Sequence, residues 1–178
     1  MTWTATLALD YTHQAGKTLA HFRHSGPLRI LQSLYPEGDT ICHNVIVHPP
    51  GGLVGGDTLE LAFSAAAGAH GLITTPGATR FYRSTGEPAL QNTTLTLEAG
   101  ARMEWLPLEA ICYSGCLAEN RLTMALAPGA TSPDAQVVVV RVLSPVVEPA
   151  MALLRQVWQA WRRELWQLAP STPRLWST

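Results

Sequence analysis

The strongest constraint on this chain is a recurring pattern: a strand-length run that ends in a corner of small residues. Leu59-Glu-Leu-Ala-Phe-Ser-Ala-Ala-Ala-Gly-Ala69, Leu95-Thr-Leu-Glu-Ala-Gly-Ala101 and Leu122-Thr-Met-Ala-Leu-Ala-Pro-Gly-Ala130 share this form, and their glycines, Gly68, Gly100 and Gly129, are 32 and 29 residues apart. Periods in this range belong to stacked units, each of which buries its apolar face only against its neighbours. After the first two corners the chain resumes strand character, at Gly71–Thr75 and Arg102–Leu106. Other runs have the same habit: Thr4–Leu9, Leu28–Leu34, Cys42–Val47 and Thr93–Leu97 are alternating or β-branched and are bounded by Gly, Pro or Asp. With 14 glycines and 13 prolines in 178 residues, turns are frequent. The expected fold is mainly β, a stacked-sheet or β-helix-like body.

The third corner breaks the pattern. Gly129-Ala130 leads into the turn Thr131-Ser-Pro-Asp134 and not into a second strand, and the next run, Gln136–Leu143, reads as a buried strand. An atypical terminal repeat and a deletion near residues 130–136 both produce this appearance. From Val147 the period changes. Val147, Met151, Leu154, Trp158, Trp161, Leu165 and Leu168 recur at spacings of three and four, which predicts one amphipathic helix over about residues 146–168, capped by Ser144 and stopped by Pro170. The expected organisation is a single domain, 1–178, with a β-rich body over 1–143 and a helix and tail over 144–178.

Charge excludes several functions. Charged residues make up 14% of the chain and the net charge is −1, so there is no basic excess for a phosphate backbone and nucleic-acid binding is not expected. So sparse a charge leaves an apolar surface of the kind that partners cover. No run reaches eighteen apolar residues, so no membrane span is expected, and Met1–Ala20 has no continuous apolar stretch of signal-peptide type. Three cysteines, Cys42, Cys112 and Cys116, without a CxxC pair, fit reduced thiols in a cytoplasm.

No motif assembles a catalytic set. Gly51-Gly-Leu-Val-Gly-Gly56 lacks the Lys-Ser or Lys-Thr of a phosphate loop, and no GxSxG or HExxH exists. A hydrolase built on Asp57 and His48 would have no nucleophile. Cys42, His43 and His48 form at best a weak metal set, because on a strand the odd separation of His43 and His48 puts them on opposite faces. Asp57 follows four glycines, where backbones approach closely, and is either a functional carboxylate or one that bonds its own turn. Arg80 and Arg83, flanking Tyr82, could clamp a carboxylate. Glu104 and Glu109 complete the charged candidates.

Several strings carry a resemblance. Tyr35-Pro-Glu-Gly38, Cys42-His43, His48-Pro-Pro-Gly-Gly-Leu-Val-Gly-Gly-Asp57, Leu72–Ser84 and Glu104-Trp-Leu-Pro107 resemble the urease accessory protein family UreD, also called UreH, as do Val139–Leu143 and Pro173–Thr178. The resemblance implies a non-enzymatic, cytoplasmic assembly factor that binds apo-urease together with UreF and, through it, the GTPase UreG, and that assists nickel insertion into the urease active site. It implies no tightly bound cofactor, only transient nickel(II), passing through polar tunnels in a β-helix-like stack. By position in the matching strings, Asp57 and Thr79, beside Arg80, correspond to residues tied to that role. His48, Tyr82, Arg83, Glu104 and Glu109 are further partner or nickel-path candidates. Two departures stand out: Leu106-Pro-Leu-Glu109 replaces the usual Leu-Pro-Gln-Glu, and the family is longer, with the missing stretch at Pro128–Gln136. The alternative is a degenerate, shortened paralogue that folds or binds a partner without delivering nickel.

Overall fold

A computed structural model describes residues 2–128 and, beyond them, residue 159. Contacts group the chain into two compact units, Met1–Val137 and Val138–Thr178, and residues 2–128 belong to the first. The predicted strand at Gln136–Leu143 and the helix over 146–168 lie outside the described residues, save for Gln159, which is helical.

Twelve strands are described: β1 (Thr4–Gln14), β2 (Lys17–Ser25), β3 (Arg29–Leu34), β4 (Ile41–Val47), β5 (Gly52–Leu53), β6 (Thr58–Ala65), β7 (His70–Thr74), β8 (Thr79–Phe81), β9 (Ala89–Leu97), β10 (Arg102–Leu106), β11 (Ala110–Cys112) and β12 (Ala118–Leu126). They form three sheets, ordered β12-β9-β6-β1-β2, β10-β7-β4-β3 and β11-β8-β5. The first sheet pairs β1, β6, β9 and β12 in parallel, the second pairs β4, β7 and β10 in parallel, and the third is parallel throughout. The chain therefore visits the three sheets in rotation: β6, β7, β8, then β9, β10, β11, then β12. Each circuit is one layer of a stack, and the mainly β expectation holds. Among the described residues no helix is long and apolar enough to cross a membrane.

The sequence period is the pairing register. Thr58 stands level with Leu90 and Ala89 with Ala118, the same separations of 32 and 29 residues that divide the corner glycines. At two successive corners the chain makes one turn: Ala69 N donates to Ala66 O and Ala101 N to Glu98 O, both at 3.0 Å. The third residue of each turn is glycine with positive φ, Gly68 at 76° and Gly100 at 72°, as a type II turn requires. The layers are also stitched at the corner, where Glu98 Oε2 accepts from Ala67 N at 2.9 Å.

Alternation decides what is buried. Ala5, Leu7, Leu9 and Tyr11 of β1 face inward, level with Leu59, Leu61, Phe63 and Ala65 of β6, then with Gln91, Thr93, Leu95 and Leu97 of β9. Across the interior, Phe63 meets Trp105 of β10 with ring centroids 5.2 Å apart. The sequence runs missed β2, β5, β8 and β11. β2 buries little of its length, and the other three are two or three residues long, too short for a period to show.

At one end of the stack the outermost strands are antiparallel, β2 on β1 and β3 on β4. There the Tyr11 hydroxyl donates to Asn44 Oδ1 at 2.9 Å, and Asn44 Nδ2 donates to Ser33 Oγ at 3.1 Å. Burial pushes the Tyr11 phenol far above its ordinary pKa, which keeps it a donor. The ring fits because residue 71 is glycine: a Cβ there would stand 2.2 Å from Tyr11 Cε2. Gly71→Ala is therefore expected to cost about 2–3 kcal/mol, read as a lowered urea midpoint at unchanged m-value. Gly77→Ala, at a site with nothing within 4 Å and no positive φ, should leave the midpoint unmoved.

Candidate functional site

The glycine-rich segment between β4 and β6 is built by close approach. Gly51 N donates to His48 O at 2.8 Å and Asp57 N to Val54 O at 3.1 Å, closing two turns around the two-residue strand β5. A Cβ on Gly52 would meet Tyr82 Cε2 at 2.4 Å, and one on Gly55 would meet Ser84 Oγ at 2.2 Å. The glycines thus let this loop lie against residues 80–87, and that is the physical reason for a run resembling a phosphate loop.

Asp57 holds the loop. It is 2% exposed, and its carboxylate accepts from Val54 N at 2.9 Å and, with a longer bond of 3.4 Å, from Trp3 N. The self-bonding alternative for Asp57 is the one the structure displays. Beside it, the His48 ring packs on Trp3 with centroids 5.2 Å apart. His48 Nε2 is buried and has no hydrogen-bond partner among the described residues. Burial lowers the imidazole pKa, opposed in part by the Asp57 carboxylate.

His48 also lines a cavity of about 270 Å³, together with Thr75, Thr79, Arg80, Gln91 and Trp105. The structure therefore brings His48, Thr79 and Arg80 together and disperses the other candidates. Tyr82 stacks on Tyr113 at 5.3 Å, outside the cavity. Arg83 packs toward the Gly115 turn. Glu104 points outward from β10, where its Oε1 lies 2.9 Å from His70 Nε2. Glu109 is exposed, and its backbone oxygen accepts from Thr79 N at 3.0 Å. Cys42 and His43 do not join His48. The Cys42 thiol is fully buried, donating toward Asn44 Oδ1 at 3.5 Å. His43 lies on the opposite face, with Nε2 2.9 Å from Glu37 Oε1 but not aligned for a hydrogen bond. Among the described residues no three of His, Cys, Asp and Glu converge on a metal-sized point.

Sequence reasoning missed the polar groups inside the stack. Gln91 lines the cavity, and Thr93, two residues along, is buried with its hydroxyl unpartnered among the described residues. Asn120 stands level with Gln91 on the next layer. The available signal was Gln91 and Thr93 occupying the inward parity of a strand that otherwise places Ala89, Leu95 and Leu97 there.

Comparison with known proteins decides the family. The description "UreD urease accessory protein" matches residues 4–133 and again 129–177. The chain belongs to the UreD family. It is similar to urease accessory protein UreD of Polaromonas sp. strain JS666, with 57% identity over 99% of this chain and the whole of that relative. It is also similar to the proteins of that name from Variovorax paradoxus, at 46% identity over the full length of both, and Leptothrix cholodnii, at 37%, again over both full lengths. The Polaromonas alignment runs over 275 positions although this chain has 178 residues, so a long stretch of the UreD relative stands opposite a gap. The two family matches meet at residues 129–133, which places the gap directly after β12.

Two outcomes follow from this geometry. Asp57→Ala removes the acceptor for two backbone donors and should cost about 1–3 kcal/mol, measured by urea unfolding, with Asp57→Asn retaining part of the loss. Because the folded-state pKa of His48 lies below the ordinary value, the unfolded chain binds the extra proton first. Stability from this site is then complete above about pH 6.5 and declines as pH falls from there through the lowered folded value. Melting temperatures of wild type and His48→Gln should therefore converge as pH drops through that range.

Proposed function

We propose that this chain is a urease maturation factor. It would bind apo-urease together with UreF, and UreG through UreF, in the cytoplasm, and would assist nickel insertion without being an enzyme. The observation that carries this reading is the ordered match of both ends of the chain to the UreD family, supported by relatives named urease accessory protein UreD at identities up to 57%. Nickel(II) is cargo here, held transiently and not as a resident cofactor. Chemistry supports such a role for the cavity: a neutral imidazole, an amide and hydroxyls are donors that a borderline cation accepts one or two at a time. Low affinity suits passage, whereas a closed site of three or four ligands would trap the ion. His48 supplies the imidazole, favoured in its neutral form by burial, and Gln91, Thr75 and Thr79 supply oxygens. Asp57 acts in this reading through the loop it holds, and Arg80 at the cavity wall sets the positive charge that a cation must pass. Tyr82, Arg83, Glu104 and Glu109, which lie outside the cavity, are left to partner contact.

A second reading, a shortened paralogue that binds a partner but delivers no metal, is favoured by the gap after β12. Capture of tagged chain with UreF and apo-urease, followed by nickel assay of the captured urease, separates the two. Capture with loading supports the first reading, capture without loading supports the second, and no capture of either partner overturns both. If the cavity is the path, His48→Leu and Gln91→Leu should each leave capture unchanged and lower nickel loading severalfold.

A further inference from the structure

The last described layer ends in an open strand. β12 pairs with β9 on one side and terminates its sheet. Its odd-numbered neighbourhood makes the pairing bonds: Leu117 O accepts from Ala89 N at 2.8 Å, and Ala127 N donates to Leu97 O at 2.9 Å. Alternation then turns the N–H and C=O groups of Asn120, Leu122 and Met124 toward the free edge. These residues also face the interior, level with Gln91, Thr93 and Leu95. Among the described residues no strand stands in front of them, and Met124 and Leu126 are 43% and 50% exposed. Tyr113 and Leu117, on the turn entering β12, are exposed as well. In the UreD relatives the sequence continues here with residues that this chain lacks.

Charge selects what fits this edge. On its outer face Glu119 and Arg121 sit two residues apart, Arg121 Nε donating to Glu119 Oε1 at 2.7 Å. An edge with opposite charges at this spacing complements itself. In antiparallel pairing about a two-fold axis at Asn120, Glu119 stands opposite Arg121 of the second copy, and Arg121 opposite Glu119 of the second copy. The same register sets Leu122 against Ala118 of the second copy and carries Met124 and Leu126 over the exposed 113–117 turn of that copy. A pairing centred one residue later would put two guanidiniums face to face. An isologous contact uses the β12 edge of both copies at once, so it ends at two copies.

We propose that the β12 edge joins two copies of this chain in an isologous dimer through Glu119 and Arg121. Light scattering behind size exclusion should give twice the chain mass for the purified full-length protein. Glu119→Arg and Arg121→Glu, at side chains 44% and 63% exposed, should each weaken the dimer at least about tenfold by opposing like charges, and the double exchange Glu119→Arg/Arg121→Glu should restore it. Met124→Lys should weaken association while leaving the far-UV spectrum unchanged. A wild-type monomer at all soluble concentrations overturns the proposal. So does a dimer that ignores both single reversals, or one that the double exchange fails to restore.

Discussion

Everything in this architecture depends on parallel strands stacking in register, layer upon layer. A parallel ladder fixes side chains of equal height above one another. Leu7, Leu61 and Thr93 therefore occupy one column, and Leu9, Phe63 and Leu95 the next. Two properties result. A corner must turn the chain at the same point in each circuit, which is why Gly68 and Gly100 share a conformation. Any polar residue of inward parity, meanwhile, has only the interior in which to find a partner. Gln91 and Thr93 are in that position, and an unpartnered buried hydroxyl is costly enough to mark the column as one where apolar packing gave way to another demand.

The loop at His48–Asp57 shows a different constraint. Its glycines are there for space, not for phosphate, since side chains of the 80–87 segment occupy the volume that Cβ atoms would take. A loop pressed this closely needs its backbone donors satisfied from within, and the Asp57 carboxylate does that for Val54 and Trp3. One consequence reaches the cavity. Trp3 is fixed by Asp57 and in turn supports the His48 ring, so the carboxylate positions the imidazole without touching the cavity itself.

Legibility of the sequence followed the length of the signal. β1, β4, β6 and β9 each carry a full alternating run and are readable, and the corner spacing, which indicates stacked units, equals the separation of residues paired across layers. β5, β8 and β11 are two or three residues long and are held by pairing with one another rather than by their own pattern, so single-sequence periodicity has nothing to report there. The site was legible only in pieces. His48, Thr79 and Arg80 converge, but Glu104 turned outward to His70 by simple strand parity, as its place between Met103 and Trp105 required. Gln91 escaped notice because amide side chains carry no motif, although parity alone would have placed it inside.

The position of the gap has a physical logic of its own. In a stack each layer contacts only the layers beside it, so stability is close to a sum of layer terms and neighbour terms. β12 opens a third circuit, so the gap falls within that layer, after its first strand. Here the two family matches meet at residues 129–133, immediately past the end of β12 at Leu126. β12 keeps its nine-residue pairing with β9 intact, and every earlier register is untouched. Among the described residues nothing pairs with the outer edge of β12, Met124 and Leu126 are exposed there, and the layers behind keep their register.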